Sequence, residues 1–104
     1  MTEASLLAAT ADEFERLIAR LSRFSPRSVR IHRDAIDALM VVLVLCCAQQ
    51  QGRTLEVPTP DDHAVADAVA VIGREAIAAL VVTPDSSLLA TVRTAVAAAL
   101  ADTR

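Results

Sequence analysis

The chain has 104 residues, of which 54% are apolar and 22% charged, and its formal net charge is −3. This length predicts one domain, residues 1–104, and the composition is that of a folded protein rather than a disordered chain. The only aromatic residues are two phenylalanines, and all ten basic residues are arginines. Base-stacking binding of single-stranded nucleic acid is therefore excluded, and the acidic balance argues against general nucleic-acid binding.

The cysteines and the apolar stretches bear on cellular location. Cys46 and Cys47 are adjacent, so they cannot cross-link distant segments, and we expect a reduced, cytoplasmic protein. Residues 1–10 lack the basic and apolar regions of a signal peptide. The longest apolar run, residues 38–48, would span roughly 17 Å as a helix, against ~30 Å for a bilayer core. We therefore expect no membrane span.

Four short segments are predicted to be strands. Two of them alternate apolar and polar residues, which is typical of half-buried strands, and the last is a continuous apolar run, which suits a strand buried on both faces. The first is weaker because it is rich in Ala and Leu. In chain order the segments are Ser5–Ala9, Ser28–His32, Thr54–Val57 and Ile77–Val82.

Each predicted strand is followed by helical signals, namely apolar stripes, N-terminal Thr-Pro-Asp sequences and glycine stops. The predicted helices cover residues 12–23, 34–51 with a stop at Gly52, about 59–73 with a stop at Gly73, and about 83–100. Four alternations of strand and helix predict an α/β fold with a small, mostly parallel four-stranded sheet and four helices. The alternative is an all-α four-helix bundle, because Ala-rich chains favour helix and residues 5–9 can extend the first helix.

The order of these elements resembles a known family from residue 28 to about residue 102. A strand is followed by a turn at 34–38, an apolar helix at 39–51, a glycine and strand at 52–57, and a helix that closes on a glycine at 65–73. This pattern is similar to the STAS domain of bacterial anti-sigma-factor antagonists. The resemblance implies a non-enzymatic regulator whose partner is an anti-sigma-factor kinase or a transport-complex ATPase. The family's phosphorylated serine falls at Ala35 and its glycine at Asp37, so no phosphorylation switch is expected there.

The most informative segment is Leu39–Cys47, nine consecutive apolar residues that would face every direction around a helix. Either the rest of this small chain covers all sides of that helix, or another polypeptide does. We expect the latter, as a homodimer or a complex with a regulatory partner. The STAS resemblance places the contact at the turn and the start of this helix, which gives as candidate partner-binding residues Arg33, Asp34, Ala35, Asp37, Ala38, Val41 and Val42.

A second resemblance favours a different function. Residues 25–32, followed by Ile36 and Leu39, resemble the recognition helix of quorum-sensing-type helix-turn-helix regulators. Six arginines lie between Arg16 and Arg33 with no acidic residue among them, which suits phosphate contacts. The alternative is therefore a DNA-binding regulator that uses residues 25–39. The arginines at 16, 20 and 23 can equally form the solvated face of the first helix, near acidic residues one turn earlier.

No residue pattern indicates catalysis. Cys46 and Cys47 lie in an apolar run, where buried small side chains are expected rather than reactive thiols. His32 and His63 have no partners at metal-ligand spacing, and the acidic residues near His63 suit a helix N-terminus. We expect no enzyme, no cofactor and no metal.

Overall fold

The computed structural model describes residues 2–104, so Met1 of the predicted domain lies outside it. The protein is helical over 77% of these residues, and no strand occurs among them. The predicted α/β fold is therefore wrong, and with it the STAS-like architecture, whereas the all-α alternative agrees with the structure. The helices are α1 (Glu3–Leu21), the short α2 (Pro26–Ile31), α3 (Arg33–Gln51), α4 (Val65–Val82) and α5 (Ser86–Asp102).

Each predicted strand has another conformation, for an identifiable reason. Residues 5–9 belong to α1, and residues 28–31 to α2. The run 77–82 forms the end of α4, since a short apolar run fits a buried helix as well as a strand. Residues 54–57 form neither helix nor strand and lie in the irregular segment between α3 and α4. Alternation without a partner strand does not make a sheet.

Capping side chains explain where several helices begin. The side chains of Thr2, Ser25 and Asp85 accept hydrogen bonds from backbone N–H groups three residues later, at the starts of α1, α2 and α5. Gly52 ends α3 with φ of 66°, as predicted for a left-handed C-terminal glycine. The Thr-Pro-Asp sequence at residue 59 does not start a helix directly, because α4 begins only at Val65.

Contacts between helix ends define the topology. Arg33 at the start of α3 donates to Asp62 just before α4, and Gln50 at the end of α3 donates to the carbonyl of Thr83 just after α4. Thus α3 and α4 are parallel, and residues 52–64 return along them as a crossover segment. His32 contacts Asp102, so α5 is antiparallel to α3. Helix α1 packs on α4 and α5, and α3 packs on the same two helices from the other side.

The core lies where these four long helices meet. Its fully buried side chains are mostly aliphatic, as the composition predicts: Phe14, Leu17, Ile36, Leu39, Met40, Leu43, Val65, Val69, Leu80, Val92 and Val96. Gly73, predicted to end a helix, lies in the middle of α4 under the ring of Phe14. A β-carbon at this position would overlap that ring, so the glycine permits the close approach of α1 and α4.

Candidate docking surface

Most of the apolar run 39–47 of α3 is buried within the protein itself. Of the nine apolar residues 39–47, six are buried, Val42 is half-buried, and Val41 and Leu45 are exposed by 41% and 52%. The rest of the chain therefore covers most sides of this run, because α4 and α5 pack on both flanks of α3. Helix α3 is the one helix among residues 2–104 that is long and apolar enough to cross a membrane by length and composition alone, and 44% of that stretch is buried inside the protein.

A narrow apolar strip remains on the outer side of α3. It consists of Ala38, Val41, Leu45 and Ala48, and we call it the α3 strip. The spacings of three, four and three residues follow the heptad pattern by which helices pack against other helices. Ala38 and Val41 were among the predicted partner-binding residues, whereas Leu45 and Ala48 were missed. Their heptad spacing with Ala38 and Val41 is present in the sequence, whereas the STAS resemblance places the contact at the start of the helix.

Two grooves flank the α3 strip. One, of about 450 Å³, lies between Val41, Leu45 and Ala48 on one side and Val57 of the crossover segment on the other. Val57 is 40% exposed and adds to the apolar surface. The other groove, of about 680 Å³, lies between α3 and α5. The predicted residues Ala35 and Val42 line this second groove together with Ala38, so the structure brings these three together.

The charged members of the predicted set lie at the first turn of α3 and have different surroundings. Arg33 donates from Nε to Asp37 at 2.8 Å, from Nη1 to Asp62 at 2.9 Å and from Nη2 to the carbonyl of Pro60 at 2.6 Å. The hydrogen bond to Asp37, followed by that to Asp62, raises the pKa of Arg33, so it stays charged. Arg33 therefore fastens the crossover segment to α3 through Asp62 and the carbonyl of Pro60. Asp34 is exposed and forms no ion pair with residues 2–104.

The arginine-rich segment does not form a continuous helix. His32 interrupts it between α2 and α3, and Nδ1 of His32 lies 2.9 Å from Oδ2 of Asp102. Arg20 donates to the carbonyl of Leu100 at 2.9 Å. Glu15, expected near the arginines of α1, instead makes two hydrogen bonds of 2.7 and 2.9 Å with Arg74 of α4, and these lower its pKa.

Exposed arginines nevertheless remain in this region. Arg16, Arg23 and Arg27 are exposed, and no carboxylate among residues 2–104 pairs with them. Arg30 is exposed and lies 3.9 Å from Asp62. Three or four cations near the α1–α2 turn are therefore available to an anionic partner.

The candidate chemical groups are buried or separate. Cys46 and Cys47 are buried free thiols, and burial raises the pKa of Cys46 to about 11 and also raises that of Cys47. At neutral pH both are protonated and poor nucleophiles. No group of three or more His, Cys, Asp or Glu side chains within residues 2–104 is placed to hold a metal ion.

A third apolar depression lies between α1, α4 and the start of α5. It measures about 490 Å³ and is formed by the start of α1 and the end of α4, with Leu7, Ile77, Leu80 and Val81 in its walls. Comparison of the chain with protein families, curated proteins and solved structures finds no match.

Proposed function

We propose that this chain is a non-enzymatic protein–protein interaction module that docks through the α3 strip. The observation that carries the proposal is the exposure of Val41 and Leu45, at heptad spacing, in the apolar run 39–47, whose other residues are buried or half-buried. Burying the exposed parts of these two side chains contributes about 1 kcal/mol each to a complex. A flat strip flanked by two grooves is a suitable seat for a partner helix, whose ridges of side chains fit into such grooves.

The surroundings of the strip support docking rather than chemistry. Ala35, Ala38 and Ala48 are small, so a partner backbone can approach closely. The outer side of α5 next to the strip carries Ala90, Thr94 and Ala98, which are exposed and uncharged. The charged residue that lines the groove between α3 and α5, Asp102, already contacts His32, with Oδ2 2.9 Å from Nδ1, so a partner that docks there desolvates no unpartnered charge in the groove. Val42, one of the predicted partner-binding residues, faces the α5 groove and is half-buried.

Photo-cross-linking tests this function. A Val41→Cys variant, labelled with a photoreactive maleimide and added to a lysate of the native cell, should cross-link to a protein through the strip. A Leu45→Glu substitution in the same chain should remove that product. The control is Val71→Cys, since Val71 is 58% exposed on the outer side of α4. Identical products from positions 41 and 71, or products that survive Leu45→Glu, would refute docking through α3.

A second candidate function is DNA binding through the α1–α2 turn. The all-helical fold and the exposed Arg16, Arg23 and Arg27 favour it, although the proposed recognition segment 25–39 is divided at His32. A gel-shift titration at two salt concentrations tests it. This function requires a shift at low salt that weakens at high salt and is lost in Arg27→Ala and Arg30→Ala. No shift at low salt eliminates it.

A further inference from the structure

We propose that the partner on the α3 strip is a second copy of this chain. Its α3 packs antiparallel to the first across a two-fold axis that passes between Val41 and Leu45, level with Leu43. The inference rests on the proposed docking function and adds the identity and geometry of the partner. A two-fold contact uses the same patch on both copies, so the patch must be complementary to itself. The sizes, the charges and the spacing of residues on the strip meet that condition.

The order of side-chain sizes along the strip reads the same in both directions. It runs small, large, large, small, from Ala38 through Val41 and Leu45 to Ala48. In an antiparallel pair centred on Leu43, Val41 lies opposite Leu45 of the second copy, and Ala38 lies opposite Ala48. The two large residues then fill the centre, and the two alanines let the helix ends approach. This layering is the one expected of antiparallel helices with heptad seams.

The charges beyond the ends of the strip select the antiparallel direction. Asp34 lies one turn before Ala38, and Arg53 follows directly after the helix at Gly52. Both are exposed, and neither forms an ion pair with residues 2–104. The register that joins Val41 to Leu45 also places Asp34 level with Gly52 of the second copy, one residue from its Arg53, at both ends. The residue level with Arg53 is Arg33, whose charge is already paired with Asp37 and Asp62. A parallel pair would place aspartate against aspartate and arginine against arginine.

The other exposed apolar residues on a long helix do not form such a seam. On α4, Val71, Val81 and Val82 are 58%, 62% and 81% exposed. Val81 lines the depression between α4 and the start of α1, and Val71 and Val82 are eleven residues apart. Between them the outer side of that helix carries Glu75 and Ala78. A second copy packed there would desolvate a carboxylate, which is costly without a partner charge. The α3 strip is therefore the face we assign to the dimer.

Sedimentation velocity on the whole chain, from about 5 to about 500 µM at low salt, tests the inference through charge exchange. The wild-type chain should associate reversibly to a dimer. Asp34→Arg and Arg53→Asp should each weaken the dimer roughly tenfold or more, because both ends of the pair are affected. The double variant restores both pairs in reversed order, so its dimerisation should return to within about threefold of wild type. Arg93→Asp, an exposed arginine of α5 away from the strip, is the matched control and should change little.

The outcomes separate this inference from the function beneath it. A strictly monomeric wild-type chain, or a dimer in which the double variant is no better than the single ones, overturns the inference. If the strip still cross-links to a different protein, the docking function stands without the dimer. If the dimer persists in Leu45→Glu, it uses another face and the inference fails. Circular dichroism of each variant identifies any that are unfolded, and Val41→Glu then replaces Leu45→Glu.

Discussion

Gly73→Ala tests the close approach of α1 and α4 most sharply. An alanine β-carbon there would overlap Cζ of the Phe14 ring and lie 2.5 and 2.6 Å from its Cε atoms. The ring is 0% exposed and cannot turn out into solvent. Alanine gains about 1 kcal/mol of helix propensity over glycine, whereas overpacking a core costs about 1–3 kcal/mol. Because three ring atoms are affected, we take the upper part of that range.

The expected net loss is therefore about 1–2 kcal/mol, which lowers the melting temperature by at least ~4 °C in a domain of this size. Thermal and urea unfolding of Gly73→Ala, Phe14→Leu and the double variant measure it. Phe14→Leu removes the colliding atoms, so the double variant should be at least ~1 kcal/mol more stable than the sum of the single effects. A Gly73→Ala variant more stable than wild type would refute this packing. Destabilisation that Phe14→Leu does not relieve would indicate instead that Gly73 ends a helix.

Three further predictions follow from single contacts. Arg33→Ala should lower the free energy of unfolding by about 1–2 kcal/mol, because it removes charged hydrogen bonds to the crossover segment. Amide hydrogen exchange should then become faster in residues 58–64, and unchanged exchange there would contradict the contact. The pKa of Glu15 is lowered by its partner Arg74 on α4. The ion pair should therefore contribute to stability above about pH 4.5, and this contribution should be lost as the pH falls through the lowered pKa. Glu15→Gln should abolish that part of the pH dependence of unfolding. The pKa of Cys46 is raised to about 11 by burial, so both native thiols should react with a disulfide reagent at pH 8 far more slowly than in the unfolded chain, and fast labelling of the folded protein would contradict their burial.

The helices with clear apolar stripes and caps could be predicted from the sequence, whereas the sequence wrongly indicated a sheet, which does not form among residues 2–104. The apolar stripe of residues 12–21 and the stop at Gly52 both occur in the structure, because periodicity and a left-handed glycine act locally. Residues 54–57 have the alternation of a strand, but whether a strand forms depends on a partner that local sequence does not specify. The prediction that Gly73 ends a helix is wrong for a related reason, since the role of this glycine is set by Phe14, fifty-nine residues away.

The exposed apolar strip on α3 could be predicted from the sequence only in part. Nine consecutive apolar residues do indicate a helix covered on several sides, but most of that cover comes from α4 and α5. How much surface remains depends on the placement of those helices, which the pattern within 39–47 does not encode. The sequence therefore indicates which helix is the most apolar, and the structure identifies Val41 and Leu45 as its exposed large apolar residues.

The most direct test of the docking account is methyl NMR with a soluble paramagnetic probe, at increasing protein concentration. The Leu45 and Val41 methyl groups should be accessible to the probe in dilute solution and become protected as the second copy covers the α3 strip. Val82, which is 81% exposed on α4, should stay accessible throughout. The account would be contradicted if the Leu45 methyl groups stay as accessible as those of Val82 at every protein concentration. The same holds if they stay accessible when a partner protein is cross-linked.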